Sequence, residues 1–329
     1  MWTNPWIIAA IVLAAVTLAV YLLRQYQLRR EQPARNHEPF AGTVYRVGEA
    51  FVSVRSDSGN PRCSVIAMHG FLEDHRYFTD LYGDPDIDLI LVTSGDYNVP
   101  VRGVQAGVAA WARPIEYDVG TIEYDAAVLN QALENLPRSG RVRIHGHSRG
   151  GAVVLEAARQ RPDLHHDEGR EIEVVLEAAC LPQGKPHRNM EANLSAPGRC
   201  LLPFSMPLMK RLPPEVYGRK LYGELSGRKR ELLASYPYNP RHYATILVNA
   251  GNIRDWMQGH GEELYDGVRG GWILIGEDER ILDRDSMLAS ARRAGQRLEV
   301  IETTGTTHFI TLDAPEQVPV PFPQPAQAR

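Results

Sequence analysis

The chain has 329 residues, 43% hydrophobic and 23% charged, with a formal net charge of −4 and a pI near 6.3. That composition excludes a disordered tail, a collagen or coiled-coil rod, and a simple nucleic-acid binder, which would carry a basic excess. A mean hydropathy of −0.30 argues equally against a membrane protein, but an average can conceal one segment.

From Trp6 to Leu23 the sequence reads WIIAAIVLAAVTLAVYLL, without a formal charge. At about 1.5 Å per residue, such a helix covers most of a roughly 30 Å hydrocarbon core. Trp2 and Trp6 stand at one end and Tyr21 at the other, where amphipathic rings prefer the interface. A cleavable signal peptide needs a positive n-region and a small-x-small cleavage site. MWTNP has no Lys or Arg, and QYQLRREQPAR offers no such site. Residues 1–23 are therefore expected to be a single-pass anchor in a lipid bilayer. Arg24, Arg29, Arg30 and Arg35 follow the span against Glu31, so the positive-inside rule puts the following domain in the cytoplasm. Cys63, Cys180 and Cys200 suit that compartment, since nothing suggests a disulfide framework. In AAIVLAA, small residues recur at three- and four-residue spacings, a surface on which two anchors could pair as a homodimer.

Residues 24–41 read as a polar juxtamembrane linker. Strand and helix signals then alternate. TVYRVGEAFVSVRS predicts two short strands, PRCSVIAMHG a third and DIDLILVTSG a fourth. IEYDAAVLNQALENL has helical spacing (Ile122, Ala126, Leu129, Leu133, Leu136) and stops at Pro137. SGRVRIHGHS is a strand running into a turn, and GGAVVLEAARQ a helix. IEVVLEAACLP, GWILIGEDE and RLEVIETTG are further strands, with DSMLASARRAG a helix between the last two. Continuous apolar runs alternating with helices predict an α/β fold, a mostly parallel sheet covered on both faces. Residues 42–183 and 270–314 would form this core.

Residues 184–269 break the alternation and read as an inserted, largely helical cap. They hold thirteen Lys/Arg and eight Asp/Glu, a net of +5, while residues 1–35 carry +3. The rest of the chain is left near −12. Residues 315–329, with prolines at 315, 319, 321, 323 and 325, are expected to form an extended or disordered tail.

The strongest chemical signal is Gly146-His147-Ser148-Arg149-Gly150, between a predicted strand and a predicted helix. It matches G-x-S-x-G where its mechanics require it, the glycines permitting a sharp turn that lifts the Ser148 hydroxyl. A serine hydroxyl is too weak an acid to attack unaided and needs a base oriented by a third group. His308, in TTGTTHFITLD after the last strand, is the natural base. His147 lies inside the turn, His145 within its strand, and His165 and His166 on a polar loop. Adjacent His165-His166-Asp167-Glu168 are read as solvated, and no metal site is expected. The acid should follow the preceding strand, where the sequence reads Gly276-Glu277-Asp278-Glu279-Arg280-Ile281-Leu282.

With these residues in Ser…acid…His order, the chain resembles the α/β-hydrolase family over residues about 42 to 313. The resemblance puts Glu279 at the acid position, with Asp278 and Asp283 as alternatives. It also matches Met68-His69-Gly70-Phe71 to the family's HG loop, implying an oxyanion hole from the N–H groups of Phe71 and Arg149. Arg149 departs from the small or apolar residue common after the nucleophile; its side chain either pairs with an acid or faces the pocket. SGDYNVPVRG departs from the usual D-x-R-G-x-G. Serine at the nucleophile position, Ser148, argues against dehalogenases and epoxide hydrolases, which use a carboxylate, and implies carboxylic-ester chemistry without a cofactor.

In the cap, PFSMPLMKRL combines Phe204, Met206, Leu208 and Met209 with Lys210 and Arg211. Together with the anchor this favours lipid-like esters such as lysophospholipid, monoacylglycerol or phospholipid. The alternatives are an esterase or thioesterase for soluble substrates and a non-catalytic scaffold on the same fold.

Overall fold

Helix α1 (Pro5–Arg29) starts where Asn4 accepts a hydrogen bond from the Trp6 N–H at 3.0 Å, with Pro5 pre-shaped for the first turn. It is long and apolar enough to cross a membrane by length and composition, and none of it is buried. The computed structural model describes residues 4–30, 38–55, 57–102, 105–188, 190, 195–209, 211–236 and 242–323. Trp2, Glu31, Arg35, Lys210 and Pro325 lie outside the described residues.

The expected linker is corrected at both ends. The helix does not stop at Leu23 but continues to Arg29, because no breaker interrupts it. Leu28 also finds apolar partners in a cluster built on Met206, Tyr243 and Ile246. At the other end, β1 (Glu38–Pro39) pairs in parallel with β6 (Val101–Arg102).

The main sheet has nine strands: β2 (Thr43–Val47), β3 (Ala50–Arg55), β4 (Cys63–Met68), β5 (Ile87–Thr93), β7 (Gly107–Val108), β8 (Arg141–His147), β9 (Glu171–Glu177), β10 (Gly271–Gly276) and β11 (Leu298–Thr303). Their spatial order is β11-β10-β9-β8-β4-β5-β3-β2-β7, and β3 runs antiparallel to both β2 and β5. CSVIAM and IDLILVT are buried along their whole length, as strands covered on both faces must be. Between strands come α2 (Arg76–Thr79), α3 (Ile122–Asn135), α4 (Arg149–Gln160) and α5 (Pro162–His165), with α10 (Arg284–Arg293) and α11 (Ile310–Asp313) flanking the last strand. The strand, helix and turn expectations along this core hold.

Between β9 and β10 lie α6 (Ala196–Met209), α7 (Pro214–Tyr222), α8 (Gly227–Ala234) and α9 (Tyr243–Gly259). The expected cap boundary at residue 269 falls too late. Ile253, Trp256 and Met257 of α9, with Leu264, Tyr265 and Val268 just beyond, join the main hydrophobic core. Asn252 also accepts the Ile122 N–H at the start of α3 (2.8 Å). The sequence breaks its strand–helix alternation here, yet the apolar spacing buries against α3 and α4 all the same.

As far as residue 323 the tail is docked on the body. Val318 and Phe322 are buried, and the Pro319 and Pro321 carbonyls accept from Arg143 and Arg62. The Arg141 guanidinium stands 6.0 Å from the Phe322 ring centroid. Prolines cannot donate to a sheet, but their carbonyls accept, so an extended proline-rich segment can dock without forming a strand. Phe322→Ala should lower stability by about 2–3 kcal/mol in a denaturant titration. A tail free of the body would leave the midpoint unchanged.

Candidate active site

Ser148 sits between β8 and α4 at φ 53° and ψ −119°, a conformation that non-glycine residues rarely adopt. Backbone hydrogen bonds hold it there. Its N–H donates to the Glu177 carbonyl (2.8 Å), and its carbonyl accepts from Gly151 (3.0 Å) and Cys180 (2.9 Å). The turn is also tight. A Cβ at Gly146 would collide with the Gly150 backbone, and one at Gly150 with the Met68 carbonyl.

His308 lies on the loop after β11 and is buried. Its Nδ1 is 2.7 Å from Glu279 Oε2, and its ring packs edge-on against His147 with centroids 5.0 Å apart. His308 is therefore brought beside the residue preceding Ser148, with Nδ1 turned to Glu279. The other Glu279 oxygen accepts from the Ile281 (2.7 Å) and Leu282 (3.1 Å) N–H groups. Burial, the largest influence, pushes the Glu279 pKa up. The charge and hydrogen bond of His308, with the two backbone donors, more than offset it and hold Glu279 below the usual carboxylate range. The two alternative acids point elsewhere: Asp278 is half-exposed and forks onto Arg280 (2.9 and 2.7 Å). Asp283 caps α10, accepting from the Ser286 N–H at 2.9 Å.

The HG loop is fixed by its histidine. His69 Nδ1 faces the Gly70 carbonyl (2.8 Å), while Nε2 accepts from the Ser94 N–H (3.2 Å), which assigns a neutral ring protonated at Nδ1. Burial lowers its pKa further. The Gly70 carbonyl and the Phe71 N–H share one trans peptide and point opposite ways. Anchoring that carbonyl therefore orients the Phe71 N–H, and a Cβ on Gly70 would come within 2.8 Å of Ser148 Cβ. Arg149 opens α4, where helical N–H groups have no intrahelical acceptor. Its side chain turns away into the body: Nη1 is 2.5 Å from Asp125 and 3.3 Å from the Ser94 hydroxyl, both groups buried. Of the two expectations for Arg149, pairing with an acid is what the structure contains.

Two further carboxylates escaped the sequence reading. Glu73 Oε2 accepts from the Gly70 N–H (2.9 Å) and lies 2.8 Å from His147 Nδ1; His147 Nε2 lies 2.9 Å from the His308 carbonyl. Both ring nitrogens face acceptors, so His147 is held as an imidazolium. Burial, the largest influence, lowers its pKa, but the Glu73 charge and hydrogen bond carry it up to about 9. Glu73, His147 and His308 each bring one ligand-type atom within 4.8 Å of the others, but hydrogen bonds occupy both His147 nitrogens. Glu177 is the second carboxylate. It accepts from Tyr77 (2.6 Å) and from the Thr311 N–H and hydroxyl (2.6 and 2.7 Å), with His145 Nε2 at 2.9 Å. Burial raises its pKa, and these donors bring it down to about 2. Thr311 is three residues beyond His308, so Glu177 ties the His308 loop to the end of β9. A carboxylate three residues after the HG pair, and one ending the strand after the elbow, were the available signals. His165, expected to be solvated, is instead buried at the end of α5 and meets Asn130, while His166 meets the Asp266 carbonyl, so these side chains do not converge.

Residues 65–318 match the model of a family described as the alpha/beta hydrolase family. The chain belongs to the alpha/beta hydrolase family. Among solved structures, this hydrolase resembles an E-2-(acetamidomethylene)succinate hydrolase (18% identity, 84% of this chain and 95% of that one, TM-score 0.54). It also resembles an esterase from Thermogutta terrifontis (19%, 85% and 94%, TM-score 0.55) and a membrane phospholipase A (14%, 94% and 94%, TM-score 0.55). At such identities the likeness concerns the fold. No curated protein matches the chain.

Two outcomes follow for this hydrolase. Glu279→Ala should cut kcat by roughly 10³–10⁴-fold, and Asp278→Ala should leave it within about twofold. The reverse pattern would move the acid by one position. Second, the His147 pKa is raised from about 6.5, so its stabilisation is complete below that pH and is lost as pH rises through about 9. Denaturant midpoints should fall over that window in the native chain, and the fall should vanish in Glu73→Gln.

Proposed function

We propose that the protein is a membrane-anchored serine hydrolase that cleaves carboxylic esters of lipid-like substrates through an acyl-enzyme. The observation that carries the chemistry is the Glu279–His308 pair beside a positive-φ Ser148. His308 Nε2 takes the proton as Ser148 Oγ attacks the ester carbonyl. Glu279 stabilises the imidazolium that forms, and the proton then goes to the leaving alcohol. The Phe71 and Arg149 N–H groups meet the developing oxyanion, each contributing about 10²–10³-fold. Water, activated by His308, releases the acyl group.

Support for a lipid substrate comes from an apolar cavity of about 190 Å³ between the HG loop and the cap. Phe71 and Leu72 line it from one side and Leu202, Met206 and Met209 from the other. Support for the anchor comes from the unburied apolar helix α1, and Arg24, Arg29 and Arg30 at its C-terminal end favour, by the positive-inside rule, a cytoplasmic hydrolase domain. One of the similar folds is described as a membrane phospholipase A.

A fluorophosphonate probe should label the native protein and not Ser148→Ala. On a panel of p-nitrophenyl esters beside lysophospholipid and monoacylglycerol, activity should rise with acyl length. A preference for acetate with no lipid turnover would overturn the lipid reading, and absence of labelling on folded protein would overturn the nucleophile.

A further inference from the structure

The helices after β9 carry an apolar face that the described residues do not cover. Leu201 and Leu208 lie seven residues apart on one side of α6, 62% and 61% exposed. Leu212 and Val216, 40% and 65% exposed, extend this surface to the start of α7. Arg211, Arg219 and Lys220 stand exposed along this stretch, and its one acid, Glu215 beside Val216, is paired with Arg230 at 2.6 Å. An apolar face with a net basic margin fits anionic lipid headgroups over a hydrocarbon layer.

The position of α6 gives this face its partner. Helix α1 contacts α6, and Leu28 packs into the Met206–Tyr243–Ile246 cluster together with Leu202 and Met209. Leu28 is five residues beyond Leu23, the end of the apolar span. At about 1.5 Å per residue the contact falls roughly 7–8 Å past the hydrocarbon edge. The headgroup layer on each side of a bilayer is about 5–8 Å thick. If α1 spans the membrane, α6 therefore lies at headgroup level. Leu202, Met206 and Met209 of the same helix also line the cavity that reaches Phe71.

We propose that the α6–α7 face built on Leu201, Leu208, Leu212 and Val216 rests in the bilayer interface. The cavity behind it then receives an acyl chain drawn directly from the leaflet rather than from solution. This rests on the lipid-ester reading above and adds the route of substrate entry. A chain moving from bilayer to cavity never crosses water, so its hydrophobic transfer cost is avoided. A soluble short ester gains nothing from the contact.

The test uses the full chain reconstituted in phosphatidylcholine–phosphatidylglycerol vesicles. Cys200 is exposed beside Leu201, while Cys63 and Cys180 are buried, so a maleimide carrying the NBD fluorophore reports on this face. Doxyl-labelled lipid should quench it and aqueous iodide should not. The double variant Leu201→Ser with Leu208→Ser should lose vesicle-phospholipid hydrolysis by at least about tenfold while keeping wild-type turnover of a soluble short-chain ester. Iodide quenching, shielding from both quenchers by a second copy of the chain, or unchanged vesicle turnover in the variant would overturn the proposal. Wild-type protein that cleaves the soluble ester and no vesicle lipid would overturn the lipid-ester reading instead, leaving the quenching result to decide the contact.

Discussion

The Ser148 backbone holds a conformation that costs on the order of 1–3 kcal/mol and has no side-chain cap hydrogen bond to relieve it. It survives because three backbone hydrogen bonds, to Glu177, Gly151 and Cys180, fix both ends of the peptide. It also survives because Gly146 and Gly150 let β4, β8 and α4 approach closer than any Cβ would allow. Every chemical feature of the site sits relative to that turn. The Phe71 N–H is set by the loop that touches it, Arg149 opens the helix that leaves it, and His308 packs on the histidine before it.

Beneath the turn lies a layer of buried charge: Asp125 with Arg149, Glu73 with His147, and Glu177 with His145, Tyr77 and Thr311. Removing these groups from water is costly, and apolar replacements are often as stable. Their geometry shows what they supply. Glu73 and His147 reach the Gly70 N–H on one side and the His308 carbonyl on the other, so one ion pair positions the HG loop and His308 together. Glu177 does the same for the loop after His308. A carboxylate in such a place acts through position, and its loss should disturb alignment more than chemistry.

Much of this was legible in the sequence because it is local. Apolar runs, glycines around Ser148 and the apolar span are patterns within ten or twenty residues. Which carboxylate meets His308 was legible only through the family resemblance; that Asp278 turns to Arg280 while Glu279 turns inward depends on the path of a loop. The pairings of Glu73 with His147 and Glu177 with Thr311 span 74 and 134 residues and leave no local trace. The docking of the tail and the end of the cap left no trace for a related reason. Proline content and a lapse in alternation describe what a segment cannot form, and say little about where Phe322 or Trp256 is buried.

The net charge of −4 also has a spatial meaning, since an acidic sheet domain is joined to a basic anchor segment and basic cap helices. Those basic elements meet where α1 packs on α6, and the apolar cavity opens from the same helix toward Phe71. The central claim is covalent catalysis by Ser148, and trapping the intermediate tests it most directly. Rapid quenching during turnover of a long-chain ester, followed by peptide mass spectrometry, should find the acyl group on the peptide carrying Ser148. Hydrolysis at full rate with no adduct, or an adduct on Cys200 or any other residue, would contradict the account.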